Sequence, residues 1–407
     1  MSAQGHDGED KLLDIYYPKK QSQPKNKKIR IGVYAVLIFI IVHQGVIAFY
    51  DVEFSDGLIV LIRNLSSLAL FLVFALFSIP LHAVIHELGH AFAGMSRGMK
   101  VILLSFGRWR YERTVKGFQW RKSVPIPGIA GAAALIVDTS RQSSYTRFDD
   151  IIFLSGGVIV NLLLGLGAYI AGGYIEESNA FLWLLKKLLD AFGFVGICLG
   201  IFNLLPIKVN GWCTDGLLIW NTLRGNGWEL RKRSLYLASL QLNGELPHRW
   251  SRNVLPTWDE LQAQDMPLPF KMGGHHLRLL YALDTGDQEM AEKSAAWVAE
   301  HFERLPDGMR QGVALLMASF GVHFLKNESI YYIWRPLCEG GLYNLTASRY
   351  QLDAEYAYLC KDAQLAKEAI QKARDALLQL PTQYHMAEMQ RQLSLLEERL
   401  EDMAKQA

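Results

Sequence analysis

Cysteine is scarce in this chain of 407 residues: Cys198, Cys213, Cys338 and Cys360 are the full set, and no two stand in a CxxC spacing. That excludes a disulfide framework and a thiolate zinc knot, and it fits a reducing compartment or simple burial. Net charge is equally slight, since 42 Lys and Arg against 40 Asp and Glu leave +2. No polyanion is implied as a partner, so nucleic acid is not expected. Charge is missing altogether from Leu65 to Ile85, where no Asp, Glu, Lys or Arg occurs. After Ile207 no comparable apolar run remains, and the composition becomes that of a soluble domain.

What is present follows the membrane rules. Residues 1–28 are polar and of mixed charge, too long and too acidic for the n-region of a signal peptide, and they read as a disordered cytoplasmic arm. Ile29–Tyr50 has the roughly 20 residues needed to cross a bilayer and reads as an N-terminal transmembrane anchor. Lys25, Lys27 and Lys28 precede it, Arg30 stands at its start, and Asp51, Glu53 and Asp56 follow, so its start belongs in the cytoplasm. A second apolar run begins at Leu65 and is expected to kink at Pro80. A third covers Ile151–Tyr174 and is rich in glycine. A fourth covers Phe181–Leu205, with Lys186, Lys187 and Asp190 in its outer part and Phe192–Leu205 in the core. The expected class is mainly α: a polytopic bundle of about four spans with both termini cytoplasmic.

Between the second and third spans lies a basic loop, residues 95–148, whose pieces VILLSF and YERTVKGFQW alternate like short strands. Within it VPIPGIAGAAALIV is apolar but broken by Pro and Gly, and it reads as a re-entrant or membrane-edge element. Residues 223–407 read as amphipathic helices in a repeat-like domain. DQEMAEKSAAWVAEHFERLP, from Asp287, is echoed 75 residues later by DAQLAKEAIQKARDALLQLP, from Asp362. A helical-hairpin array of the tetratricopeptide kind is the expected shape, with a concave face suited to a protein partner.

The chemistry is concentrated in LHAVIHELGHAFAG, from Leu81, at the end of the second run. On a helix His86 and His90 point from one face toward a shared point, the geometry of two nitrogen ligands on zinc. Glu87, the next residue after His86, is placed to take a proton from the attacking water without ligating the metal. Ionisable groups inside a membrane segment are costly and by default functional. His82, one turn earlier, reads as a packing or supporting residue. A catalytic zinc site needs a third protein ligand, and IFNLLPIKVNGWCTDG at the end of the fourth span offers Asp215 at the cytoplasmic level of His90.

HELGH on one membrane segment and NLLP…DG on a later one resemble the site-2 protease family of intramembrane zinc metalloproteases. The resemblance implies Zn2+ held by His86, His90 and Asp215, with Glu87 as general base and Asn203 as the motif asparagine. SGGVIVN supplies Asn161 in the place of a family asparagine, with Gly157 before it. The family has four residues between proline and aspartate; here IKVNGWCT supplies eight, so an extra loop must be absorbed. The resemblance implies a metalloprotease core over residues 57–222, acting on a single-span membrane-protein substrate within the lipid bilayer. A membrane-anchored helical scaffold with a degenerate or regulatory metal site is the alternative.

Overall fold

A computed structural model describes residues 14–19, 57–127, 129–138, 144–209, 211–263 and 266–406. The expected anchor Ile29–Tyr50 and most of the arm 1–28 lie outside the described residues. Helices account for 71 % of the structure and accompany a small antiparallel sheet, so the mainly α class holds. In chain order, α1 (Gly57–Ser96) leads into β1 (Met99–Phe106), β2 (Trp109–Thr114), β3 (Gly117–Lys122) and β4 (Gly131–Val137). Then come α2 (Arg147–Gly173), α3 (Ala180–Leu204), β5 (Lys208–Val209), β6 (Trp212–Cys213) and α4 (Asp215–Arg224). The remainder is helical: α5 (Trp228–Leu242), α6 (Trp258–Gln262), α7 (Leu268–Thr285), α8 (Gln288–His301) and α9 (Arg310–Phe320). It closes with α10 (Glu328–Trp334), α11 (Thr346–Leu359), α12 (Ala363–Asp375) and α13 (Gln383–Gln406). The described residues divide into two compact units, one of residues 57–93 and 151–220, the other of the rest.

The first unit holds the apolar helices. Among the described residues two helices are long and apolar enough to cross a membrane, Asn64–Ser96 and Arg147–Gly173. Only 17 % of the apolar window in the first is buried, which is the reverse of a soluble core helix. Leu72, Leu76, Phe77 and Ile79 on α1, and Ile159, Leu163, Leu166 and Ile170 on α2, face outward. α1 continues through Pro80 as one helix. Glycine sets how closely these helices pack. A Cβ on Gly156 would lie 2.6 Å from the Ala93 Cβ, and one on Gly165 would lie 2.7 Å from the Ile197 amide nitrogen. Without side chains there, the backbones of α1 and α2, and of α2 and α3, approach as membrane helices do.

The second unit contains the sheet and the helical array. Strand order is β3-β2-β1-β4, antiparallel throughout, with Leu104 opposite Tyr111 and Tyr111 opposite Trp120. The strands expected in VILLSF and YERTVKGFQW are β1 to β3. VPIPGIAGAAALIV departs from the expectation: its second half is β4, paired along β1 and not a re-entrant element. The small apolar residues that made it look membranous belong to an edge strand laid along β1, and Val137 is covered by α5, whose buried Ser239 hydroxyl donates to the Val137 carbonyl at 2.6 Å.

The echoed segments fold alike. Asp287 and Asp362 each cap a helix, accepting from the amides of Met290 and Leu365 at 3.1 and 2.9 Å. Each helix, α8 or α12, then runs into a single 3-10 turn before its Leu-Pro. The N-terminal arm is anchored in part: residues 14–16 form a 3-10 turn, Tyr16 is buried against Phe320, and the Trp334 indole donates to the Tyr16 carbonyl at 2.9 Å. A buried tyrosine in a polar neighbourhood was invisible to composition.

His275 is fully buried in this array, stacked on Trp297 with ring centroids 4.0 Å apart and edge-on to Trp258. Neither of its nitrogens has a hydrogen-bond partner among the described residues. Burial, reinforced by the positive charges of Arg278, His301 and Lys271, lowers its pKa from 6.5 to about 3. The unfolded chain therefore binds a proton that the folded chain refuses, and stability falls as pH drops below about 6.5. Urea unfolding followed by tryptophan fluorescence at pH 7 and pH 5 should show a loss approaching ~1.4 kcal/mol per pH unit from this group. His275→Phe should flatten that dependence.

Candidate metal centre

α1 carries His86 and His90 one turn apart, both buried, with their Nε2 atoms 3.1 Å apart. Asp215 Oδ2 lies 2.9 Å from His86 Nε2 and 3.4 Å from His90 Nε2. The three donor atoms form a nearly equilateral triangle. Ligands at ~2.0–2.1 Å around a tetrahedral ion are separated by about 3.3 Å, so the triangle has the dimensions of one face of a metal tetrahedron. These residues are the group able to hold a metal ion among the described residues.

Gly157 on α2 faces the triangle. A Cβ there would stand 2.6 Å from His90 Nε2 and 2.7 Å from His86 Nε2, so the space beside both lone pairs exists because residue 157 lacks a side chain. The imidazoles cannot easily give way, because their other nitrogens are held. His90 Nδ1 donates to the Phe153 carbonyl at 2.9 Å, which leaves Nε2 as the metal-facing atom. His86 Nδ1 meets the Asn161 side-chain amide at 3.3 Å.

The lengthened, eight-residue loop before Asp215 is folded away. β5 and β6 pair as a minimal hairpin, Lys208 opposite Cys213 and Val209 opposite Trp212, so the chain goes out and returns. Thr214 closes its base: its amide donates to the Ile207 carbonyl at 3.1 Å, and its hydroxyl donates to the Leu205 carbonyl. α4 then begins at Asp215, which puts the carboxylate on the first turn of the helix. Gly216 is required by contact, since a Cβ there would overlap the Leu204 carbonyl at 1.9 Å.

The sequence-derived residues separate clearly. His86, His90 and Asp215 come together, and Glu87 is buried beside them at 8 % exposure. His82 is no third ligand, because its nitrogens are occupied by the Asn161 amide at 3.2 Å and the Phe192 carbonyl at 2.9 Å. Asn161, read from the resemblance as a catalytic asparagine, is 1 % exposed and bridges His82 and His86, behind the ligand triangle. Asn203 is half-buried near the end of α3, and its side chain makes no hydrogen bond to the triangle. Sequence reasoning missed Thr214 and the Phe153 carbonyl. The Thr-Asp-Gly order at a helix start carried a capping signal for the first, while a carbonyl partner has no signature.

Comparison of the chain with protein-family models, with curated proteins and with solved structures finds no match in any of the three.

The geometry of residue 157 predicts a specific defect. Gly157→Ala should lower zinc taken up by purified protein by at least about tenfold, on the scale of lost ligand support. Gly167→Ala, on the same helix with open space around its Cβ, should retain it. Atomic emission of the two variants after dialysis checks this.

Proposed function

We propose that the protein is an intramembrane zinc metalloprotease of the site-2 protease kind, cleaving a single-span membrane protein within or near its transmembrane segment. The observation that carries the reading is the donor triangle of His86, His90 and Asp215 on helices whose outer faces are apolar. Two imidazoles and one carboxylate suit zinc and leave a coordination position open for catalysis.

A four-span topology is supported by parity. The sheet segment, the helical array and the anchored residues 14–19 belong to one compact unit, so they share one side of a bilayer. The chain between Asp150 and Asn221 must then cross an even number of times, and α3 supplies the return from α2. Its Lys186 and Lys187 lie 3.6 and 3.9 Å from Glu177, which eases the cost of their charge near the outer end. The same parity requires a partner crossing for α1, and Ile29–Tyr50 has the length and composition for it. The basic residues of the sheet segment favour the cytoplasmic side for the compact unit and for both ends of the chain.

Zinc, when bound, supplies the Lewis acid that polarises the scissile carbonyl and makes water nucleophilic near neutral pH. Glu87 takes the proton from the attacking water and delivers it to the leaving amine. His90, locked by the Phe153 carbonyl, and His86, held by Asn161, keep their Nε2 lone pairs turned toward the place where the metal would be held. Asn203, at the end of α3 and not engaged with the triangle, is available to the substrate backbone. The helical array provides the surface for a protein partner.

Glu87→Gln should retain stoichiometric zinc and lose about 10²–10⁴-fold or more of cleavage, the usual value of a positioned base. Asp215→Ala should lose the zinc. Comparing membrane-protein fragments in cells carrying wild-type or Glu87→Gln protein reads the first; metal analysis of the purified variants reads the second. Fragments that persist unchanged in the Glu87→Gln cells would remove Glu87 from the chemistry, and a protein free of zinc in every form would leave a scaffold.

A further inference from the structure

His82 has no place in a three-ligand metal site, yet it is fully buried in a niche made for it. Gly196 clears the space, since a Cβ there would lie 2.5 Å from His82 Cε1. The ring packs on Phe192 at 4.1 Å between centroids. His82 Nε2 is 2.9 Å from the Phe192 carbonyl oxygen, and Nδ1 is 3.2 Å from Asn161 Oδ1. On the other side of the amide, Asn161 Nδ2 is 3.3 Å from His86 Nδ1.

The proton inventory decides how this chain is wired. A carbonyl only accepts, so His82 Nε2 carries the hydrogen that it shares with Phe192. A buried neutral imidazole then has an acceptor at Nδ1, and an amide oxygen facing it would set two lone pairs against each other. The oxygen and nitrogen of an amide are interchangeable in shape, so the same atomic positions accommodate the turned amide. With NH2 toward His82, the Asn161 oxygen faces His86 Nδ1, and that nitrogen must carry the hydrogen. His86 Nε2 is then left with its lone pair directed at Asp215 and His90, as metal binding requires.

We infer that His82 is a positioning residue that acts through Asn161: the Phe192 carbonyl fixes the tautomer of His82, His82 fixes the orientation of the amide, and the amide holds His86 in the metal-binding tautomer. The inference rests on the metal-site reading and adds to it a relay of three residues that touches neither substrate nor the reacting atoms. A glutamine at 82 can accept from Asn161 and donate to Phe192; a phenylalanine fills the niche but can do neither.

The test is zinc affinity of the full-length protein in detergent, measured by competition with a chromogenic chelator. His82→Phe should weaken zinc binding by about 10–100-fold, the usual effect of losing a group that orients a ligand. His82→Gln should restore most of it. Asn161→Leu should match His82→Phe, and the double variant should be no worse than either alone, because the two residues act in series. Nitrogen NMR of histidine-labelled protein should find His82 protonated at Nε2 and bare at Nδ1. Equal affinity in wild type and His82→Phe, additive losses in the double variant, or a proton on His82 Nδ1 would each overturn the relay. Wild-type protein that takes up no zinc at all would instead overturn the metalloprotease reading, a separate failure.

Discussion

Three donor atoms, two imidazole nitrogens and one carboxylate oxygen, sit 2.9 to 3.4 Å from one another among helices whose other faces are apolar. Lone pairs so close, away from water, repel unless a proton or a metal ion lies between them. Much of the helical unit can be understood as meeting that requirement. Gly89, Gly156 and Gly157 bring α2 against α1 so that nothing fills the space beside the nitrogens. Gly216 lets α4 begin against the end of α3, and Thr214 ties the hairpin that brings Asp215 there.

Much of this was legible in the sequence, and the reasons are specific. His86 and His90 were read from helical spacing, which survives any detail of packing. Asp215 was sought because a zinc site needs a third ligand, and the structure brings it to the histidines. The eight residues before it looked like an obstacle because a count of residues cannot distinguish a loop that extends from one that doubles back; two-residue strands are too short to leave a pattern. GAAALIV misled for the opposite reason, since small apolar residues serve a partly buried strand and a membrane edge equally well. The echo from Asp287 and Asp362 was readable because helix capping needs a particular side chain at a particular place. Tyr16 was not, because its partners lie more than 300 residues away in sequence.

The division of the chain into two units has a physical logic. Apolar helices with close glycine contacts make the frame that brings the ligand triangle together. The capped helical hairpins, with their own apolar core around Trp334, Phe302 and Phe320, fold on the ordinary terms of a soluble domain. Residues 14–19 join that domain from more than 300 residues away in sequence, through the Trp334 indole and the Tyr16 carbonyl.

The central claim is a single metal ion held jointly by two histidines of α1 and the aspartate that opens α4. X-ray absorption at the zinc edge, on protein purified without added metal, tests it most directly. The account predicts one zinc per chain, in a shell of nitrogen and oxygen at ~2.0–2.1 Å, with the outer scattering of two imidazoles and no sulfur. Protein devoid of zinc, or zinc held by thiolate at ~2.3 Å, would contradict it.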